Sequence, residues 1–339
     1  MPTVALIMMD GCYASSLTGF MDLLQIANAH AHRQLGTAIE PFSWTFLSMD
    51  GKPVQASGGL ALAAERRLEG APAFDIVYVP GVYYAGAERF GQFLDRHKPM
   101  SEWLRRQHDK GCVLAANCTG TFLLGDAGLL DQRRATTTWW LERQFRDRYP
   151  RALLEIGQLI TDDRRVLCAG AITTYQHLAL RMVERYFSPA LAALCAKALL
   201  VDIAQTAQAP FVPLSSDPDH ADKLVARAQH HLQQDFSKKI SMQSLSDALA
   251  VSPRTLIRRF DKALGVGPLV YLQNLRIEAA KRMLKTTGAA IASIVYGVGY
   301  EDVSSFSRLF HERTGMTPKA YRDRFTPSAP PVRSPRTPR

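Results

Sequence analysis

The sequence of 339 residues predicts an α/β domain with a parallel sheet, followed by an all-α domain with two helix-turn-helix units. Short apolar runs alternate with amphipathic stretches over the first two hundred residues, and no strand-like run follows residue 221. Later in the chain, six positions recur at a fixed spacing of 50 residues. Such a length exceeds what one hydrophobic core usually organises, so we expect two domains. Their predicted bounds are 1–204 and 222–326.

The first domain is predicted from buried strands and from the helices between them. The strands are expected at residues 4–9, 42–48, 75–80 and 112–117, where continuous apolar runs indicate a sheet covered on both faces. The helices are expected at residues 18–33, 87–97 and 101–110, with a further helical stretch over 173–203 that Ser188-Pro189 interrupts. Strands that alternate with helices favour a parallel sheet.

Two segments of the chain have the composition of connecting or terminal regions. Residues 205–221 lose all periodicity and gather Pro, Gln and Ser, which is typical of a linker. Residues 326–339 contain five prolines and three arginines. We therefore expect a disordered basic tail at 327–339.

Composition excludes several classes of protein. The apolar fraction of 47% and the charged fraction of 21% are those of a soluble globular protein. No apolar run is long enough to cross a bilayer, and the N-terminus reads as a first strand rather than a signal peptide. The five cysteines include no CxxC pair. We expect a cytoplasmic protein with no membrane partner, metal or cofactor.

Charge is distributed unevenly along the chain. Residues 1–220 hold 21 Lys and Arg against 22 Asp and Glu, a net charge of −1. Residues 221–326 hold 17 against 9, a net charge of +8. A basic surface of this size attracts a polyanion such as nucleic acid, although a solvated surface that aids solubility is an alternative.

The repeat indicates two copies of one supersecondary unit in residues 222–326. The residues that recur 50 positions later are Leu256 (as Phe306), Arg258, Phe260, Gly265, Pro268 and Tyr271. In the first copy, a helix over Ser241–Leu249 and a turn at Ala250-Val251 precede a helix capped by Ser252. In the second copy, a helix over Ala290–Tyr296 and a turn over Gly297–Glu301 precede a helix capped by Asp302. A long helix over Val270–Lys285 is expected to join them.

The second helix of each copy has an apolar face and a polar face. Leu256 and Phe260 share the inward face of the first, whereas Arg254 and Arg258 lie opposite. A plain helical bundle with incidental surface arginines is the alternative. The duplication and the +8 charge favour a pair of helix-turn-helix units that bind DNA.

The region 222–326 resembles the AraC-type DNA-binding domain. The resemblance lies in LSDALAVSPRTLIRRF (245–260), the pair Gly265 and Pro268, and GYEDVSSFSRLFHERTGMTPKAYR (299–322). It implies that double-stranded DNA is the partner and that each second helix faces one major groove. The residues implied to face the grooves are Arg254, Thr255, Ile257 and Arg258 in the first copy, and Val303, Ser304, Ser307 and Arg308 in the second. Lys238 and Lys239 are our candidates for non-specific phosphate contacts.

The N-terminal half carries one candidate nucleophile. A buried strand ends at Asn117, Cys118 stands at the turn, and Thr119-Gly120 opens a helix. A nucleophile at a sharp strand-to-helix turn is the elbow arrangement, and a helix N-terminus is expected to acidify the thiol. A small buried structural cysteine is an equal alternative.

The stretch NCTGTFLLGDAGLLDQRRATTTWW (117–140) resembles the ThiJ/PfpI-like domain, which belongs to the class I glutamine amidotransferase-like group. Together with the AraC-type region, it is similar to the GlxA-like regulators. The resemblance implies a flavodoxin-like α/β sandwich, a ligand pocket in front of Cys118 and a homodimer formed through this domain.

Two positions differ from the pattern of enzymes that have the ThiJ/PfpI-like domain. Thr138 stands where many related sequences carry a histidine, and Ser16 falls near the place of an acidic partner. Asp22 is assigned to the pocket, with a surface role as an alternative. His177 is assigned to it as well, with a structural role as an alternative. The predicted pocket residues are Asp22, Cys118, Thr119, Thr138 and His177.

These observations favour a ligand-responsive transcriptional regulator. The ligand is expected to be a small polar metabolite, with an amine, a betaine or an amino acid as the class that the resemblance implies. The alternatives are a ThiJ/PfpI-type cysteine enzyme that carries a DNA-binding module, and a DNA-binding scaffold with a collapsed pocket. The missing histidine argues against the enzyme.

Overall fold

The structure is a computed structural model that describes residues 2–35, 41–203, 207–212, 214, 220 and 222–326. The chain divides into two compact units, Met1–Ala209 and Pro210–Arg339, called here the N-terminal and the C-terminal unit. The predicted linker is described only at 207–212, 214 and 220, and the predicted tail at 327–339 lies outside the described residues.

The N-terminal unit is an α/β structure, as predicted. Its described strands are β1 (Thr3–Ile7), β2 (Ser43–Ser48), β3 (Val54–Gln55), β4 (Ala61–Leu62), β5 (Arg66–Arg67), β6 (Ile76–Val79), β7 (Val113–Asn117), β8 (Arg134–Ala135), β9 (Leu153–Leu154), β10 (Ile160–Asp163) and β11 (Val166–Ala169). Its described helices are α1 (Ala14–Leu35), α2 (Ala87–Arg96), α3 (Lys98–Asp109), α4 (Thr121–Asp126), α5 (Glu142–Arg148), α6 (Tyr175–Tyr186) and α7 (Pro189–Ala198).

Seven of these strands form one sheet in the order β10-β11-β7-β6-β1-β2-β5. All neighbours run parallel except the edge pair β10 and β11, and β1 pairs with both β2 and β6 through Val4. The four strands predicted from apolar runs are β1, β2, β6 and β7. Their parallel pairing confirms the predicted fold class.

The core of the N-terminal unit lies on both faces of the central strands. Strands β6, β7 and β11 are buried at every residue, which explains their continuous apolar runs. Helix α1 packs on this sheet through Phe20, whose ring stacks on Tyr78 with a centroid separation of 4.1 Å. This contact joins α1 to β6, a central strand of the sheet.

The C-terminal unit is helical throughout its described part, as predicted. Its helices are α8 (Lys223–Asp235), α9 (Met242–Ala248), α10 (Pro253–Leu264), α11 (Pro268–Thr286), α12 (Ile291–Gly297), α13 (Val303–Thr314) and α14 (Pro318–Phe325). Two apolar cores lie along α11, one around Tyr271 and one around Ile277. The long helix thus joins two small helical modules.

Candidate functional site

Two helix-turn-helix motifs form the candidate DNA interface. The first is α9-turn-α10 and the second is α12-turn-α13. Helices α10 and α13 each have twelve residues, and both end at a glycine with a φ of 70°. Ser252 accepts a hydrogen bond from the Thr255 N–H, and the Asp302 carboxylate accepts one from the Ser305 N–H. Both predicted caps are confirmed.

The inward faces of α10 and α13 repeat the same packing. Phe260 and Phe310 are fully buried. The ring of Phe260 meets Tyr271 edge to face at 5.5 Å, and the ring of Phe310 meets Tyr321 in the same way at 5.5 Å. The 50-residue sequence repeat is therefore a repeat of three-dimensional structure.

The outward face of α10 carries the residues assigned to DNA in the first motif. Arg254, Ile257 and Arg258 are exposed. Thr255 is half-buried, with its Oγ1 only 2.9 Å from the Oγ of the capping Ser252. An exposed Ile257 beside two exposed arginines gives this face both an apolar surface and bidentate donors.

The outward face of α13 is smaller and less charged. Ser304 and Arg308 are exposed, whereas Val303 and Ser307 are half-buried and Val303 packs against the second core. Ser305, which the sequence analysis did not select, is also exposed, and its Oγ lies 3.5 Å from Nη2 of Arg308. The 50-residue offset from Thr255 is the signal that would have identified it.

A separate basic patch precedes the first motif. Lys238 and Lys239 are exposed in the turn between α8 and α9. Nζ of Lys238 lies 2.7 Å from the Asp235 carboxylate and holds the pKa of that carboxyl below its usual range. An exposed ion pair of this kind contributes little to stability. A DNA phosphate can therefore replace the Asp235 carboxylate as the partner of Lys238.

The two motifs are fixed to each other by close backbone contacts. Gly299, in the turn of the second motif, has a φ of 89°, and a Cβ there would lie 2.5 Å from the Ser237 carbonyl oxygen. Arg276 of α11 donates to the carbonyls of Phe236 and Lys238 at 2.7 and 2.8 Å. The relative placement of α10 and α13 is therefore built into the C-terminal unit.

In the N-terminal unit, the turn from β7 into α4 (Asn117–Thr121) forms an elbow, called here the Cys118 elbow. Cys118 has a φ of +54°, a region that side chains other than glycine rarely adopt. Small neighbours make this possible, since a Cβ at Gly120 would lie 2.5 Å from the Pro80 carbonyl oxygen. The elbow geometry predicted from the sequence is present.

Threonines hold the Cys118 elbow in place. The carbonyl oxygen of Cys118 accepts hydrogen bonds from the hydroxyls of Thr121 at 2.7 Å and Thr137 at 3.0 Å. The Thr119 hydroxyl accepts from the Val82 N–H at 2.7 Å and donates to the Val82 carbonyl at 2.9 Å. Cys118 is only 1% exposed and Thr138 is fully buried. The Cys118 elbow is therefore closed to solvent.

The surroundings of the Cys118 thiol disfavour its thiolate form. Burial raises its pKa to about 11, and the lowering by hydrogen bonds with Thr119 and Thr138 is smaller. The predicted acidification is therefore wrong. Helix α4 has only six residues and follows a 3₁₀ turn, so its dipole is too short to offset the loss of hydration.

The side chains behind the elbow are neutral. Ser16 is fully buried, with its Oγ 3.4 Å from Nδ2 of Asn117. Asn117 also accepts a hydrogen bond from the Tyr78 hydroxyl at 2.9 Å and donates to the Ile172 carbonyl at 2.8 Å. Where enzymatic relatives are expected to carry an acid, this chain has a neutral network that joins α1 to the sheet.

Two of the five predicted pocket residues do not join the Cys118 elbow. Asp22 lies on the exposed face of α1. His177 stands near the start of α6, where Nε2 lies 3.2 Å from the Asp202 carbonyl oxygen. It lines a cavity of about 500 Å³ that does not include Cys118. The structure thus gathers Cys118, Thr119 and Thr138 and places His177 in another part of the unit.

The described part of the chain offers little for a metal ion to bind. Within the described ranges, no three His, Cys, Asp or Glu residues are placed to hold a metal ion. All five cysteines are buried and unpaired. Among the helices of the described part of the chain, none combines the length and the apolar composition of a membrane span.

Two family models match the chain. Residues 3–185 match the DJ-1/PfpI family, and residues 245–324 match a helix-turn-helix domain. The first match covers the whole sheet and the Cys118 elbow, and the second covers most of both motifs.

Two curated relatives align with most of this chain, across both units. The HTH-type transcriptional regulator GbdR of Pseudomonas aeruginosa is 26% identical over 322 residues, which are 94% of this chain and 83% of the relative. The HTH-type transcriptional regulator CdhR of the same species is 25% identical, with 88% of this chain and 86% of the relative covered. A crystal structure of a candidate transcriptional regulator from Vibrio parahaemolyticus superposes with a TM-score of 0.51 at 23% identity, over 58% of this chain and 98% of that one. The last likeness supports the fold of the N-terminal unit.

Proposed function

This chain belongs to the DJ-1/PfpI family and carries a helix-turn-helix domain, and from this we propose that it is a sequence-specific DNA-binding transcriptional regulator controlled by a small polar metabolite. The observation that carries the proposal is the repeated geometry of α10 and α13, which present Arg258 and Arg308 at equivalent exposed positions. The names of GbdR and CdhR, both HTH-type transcriptional regulators, support the same function.

The proposed base contacts come from the outward faces of the two helices. Arginine can bind O6 and N7 of guanine bidentately, serine can serve a base or a phosphate, and an apolar side chain such as Ile257 can meet a thymine methyl. The proposed residues are Arg254, Thr255, Ile257, Arg258, Val303, Ser304, Ser307 and Arg308, to which we add Ser305. Lys238 and Lys239 are proposed to contact phosphates.

The proposed metabolite binds in the N-terminal unit, and the protein does not catalyse a reaction at Cys118. A thiol with a pKa of about 11 is protonated at neutral pH, and its neighbours Thr119 and Thr138 offer hydroxyls rather than a base. Because this side chain is closed off from solvent, we assign Cys118 to the architecture of the sensor. We further propose that the regulator works as a homodimer through the N-terminal unit, which sedimentation of the full chain would test.

Selection of binding sites from random-sequence DNA by the full chain tests the proposed function. The expected result is enrichment of two half-sites about 10 bp apart for each protomer, because the two recognition helices of one protomer enter successive major grooves on one face of DNA. Gel shifts at several salt concentrations should then show affinity that falls steeply with salt. Absence of any enriched sequence would contradict sequence-specific binding. Enrichment of a single half-site would contradict the use of both motifs.

A further inference from the structure

A cavity outside the Cys118 elbow lies between the edge strand β10 and helices α6 and α7. Its volume is about 500 Å³, within the range of sites for small molecules. The wall is mostly apolar, with Leu180, Ala192 and Ile203 among its residues. Its charged residues are Arg181 and Glu184. We call it the α6–α7 cavity.

The charged pair in the wall of the α6–α7 cavity is available to a ligand. Nη1 of Arg181 lies 2.6 Å from the Glu184 carboxylate, with 47% of the first side chain and 37% of the second exposed to solvent. A pair this exposed contributes little to stability, so separating the two charges costs little. A molecule that brings both a carboxylate and a cationic nitrogen can then pair with each of them, while its apolar body lies on Leu180 and Ala192.

Two other residues of the same wall hold the segment that leads to the C-terminal unit. His177 reaches the carbonyl of Asp202 through Nε2, and Ile203 itself lines the cavity. Gln158 also lines the cavity and forms an antiparallel bridge with Ala207. The wall is therefore attached to the chain just before the C-terminal unit at two points.

The second attachment is reinforced by a buried glutamine. Gln208 is 3% exposed, and its Nε2 donates to the Thr137 carbonyl at 2.9 Å and to the Thr136 hydroxyl at 3.1 Å. The N–H groups of Gln208 and Ala209 both donate to the Gly157 carbonyl, at 2.9 and 3.1 Å. A shift of Gly157-Gln158, which precede β10, would therefore act directly on residues 207–209.

We propose that the α6–α7 cavity is the metabolite site of this regulator, that its ligand is a small zwitterion with an aliphatic body, and that occupancy acts on DNA binding through Asp202–Ile203 and Ala207–Ala209. The inference rests on the proposed function as a ligand-controlled regulator. It places the ligand away from Cys118, and it gives the buried Gln208 a role in relaying occupancy to the C-terminal unit.

Thermal unfolding of the full chain tests the site and the ligand class. The probes are the common amino acids at about 10 mM, with isoamylamine and isovalerate as singly charged counterparts of leucine. At least one amino acid should raise the Tm by a few degrees. The Tm shifts with isoamylamine and with isovalerate should be no larger than the shift with leucine. Absence of a shift with every amino acid would overturn the proposed class.

Variants on α7 and α6 decide where the probe binds. Ala193→Trp places a large ring over the cavity from an exposed position, and Ala190→Trp, exposed on the same helix outside the cavity wall, is its matched control. The Tm shift should disappear in Ala193→Trp and persist in Ala190→Trp. In Arg181→Gln, the apparent affinity for the amino acid should fall at least fivefold. A shift that survives both Ala193→Trp and Arg181→Gln would place the ligand elsewhere and overturn the proposal.

The relay is tested separately by Gln208→Ala. This variant should still show the Tm shift with the amino acid, but its operator binding in gel shifts should no longer respond to that amino acid. A response equal to that of the wild type would overturn the relay. Operator binding without any probe is the control for the proposed function. If the wild type did not bind the operator, the proposed DNA binding itself would be contradicted. If the wild type bound the operator but Ala193→Trp left the Tm shift unchanged, only the proposed site would be contradicted.

Discussion

The guanidinium of Arg276 lies over the ring of Tyr300, with its Cζ 5.2 Å from the ring centroid. The same guanidinium donates to the Phe236 and Lys238 carbonyls, which precede the first motif, whereas Tyr300 belongs to the turn of the second. One side chain of the joining helix α11 thus holds both helix-turn-helix motifs. We therefore expect the spacing of the two recognition helices to depend on Arg276.

Replacing Arg276 by alanine should therefore loosen the two motifs. The change removes two charge-assisted hydrogen bonds and one cation–π contact, and we expect a loss of about 2 kcal/mol in the free energy of unfolding. Arg276→Lys should recover only part of this, because an ammonium cannot stack and bridge two carbonyls as a planar guanidinium does. Urea unfolding measures the loss. Affinity for an operator with two half-sites should fall more than affinity for one half-site, and equal losses would contradict the role in spacing.

A second prediction compares two glycines with a positive φ. Gly265→Ala meets open space, so only the strain of a φ of 70° opposes it, and we expect a loss of about 1 kcal/mol. Gly299→Ala adds a collision with the Ser237 carbonyl, so its loss should be at least twice as large. Thermal unfolding of both variants measures the difference. Equal losses would show that the Ser237 backbone can move away from the new Cβ with no loss of stability.

A third prediction separates base recognition from phosphate binding. Arg258→Ala and Arg308→Ala should each cost about 1–3 kcal/mol on the selected operator and relax base preference at positions about 10 bp apart. Lys239→Ala should weaken all sequences alike and reduce the slope of log K against log salt by about 1. Gel shifts on the operator and on single-base variants provide the data. If the arginine variants lost affinity equally on every sequence, both arginines would be phosphate contacts.

The parts of the fold that the sequence predicts well are those with a strong local signal. Continuous apolar runs predicted β1, β6 and β7, and the repeat predicted α10 and α13 with their caps at Ser252 and Asp302. Strand β10 carries two aspartates on an exposed edge, so it lacks the continuous apolar run that predicted the other strands. Strand β11 was also missed, although it has four buried residues, as β6 does.

The candidate sites depend more on tertiary structure. Cys118 was identified because an elbow has a local sequence signature, but its pKa could not be predicted, since burial by distant segments determines it. His177 was selected for its residue type, and only the packing of α6 against α7 and β10 shows which cavity it lines. Gln208 lies in a segment with linker composition, and its burial depends on Thr136 and Thr137, which precede it by 72 and 71 residues.

The last prediction concerns the reactivity of Cys118. Because burial raises the pKa of its thiol to about 11, the thiolate is scarce at pH 7, and the closed elbow also blocks access. We expect no alkylation of Cys118 by iodoacetamide at pH 7 and no turnover of aldehyde, amide or peptide substrates. Since the pKa of a thiol in unfolded protein is near 9, stability should fall as the pH rises from about 9 towards 11.

Mass spectrometry of each cysteine measures the alkylation, and the protein unfolded in urea is the control in which all five thiols should react. Cys118→Ala should leave operator binding and its response to an amino acid unchanged, because the thiol lies outside both proposed sites. The Cys112 thiol, whose pKa burial raises to about 12, is the internal reference for a structural cysteine. Rapid alkylation of Cys118 at pH 7 while Cys112 stays unmodified, together with turnover that Cys118→Ala abolishes, would restore the enzyme as the function of the N-terminal unit.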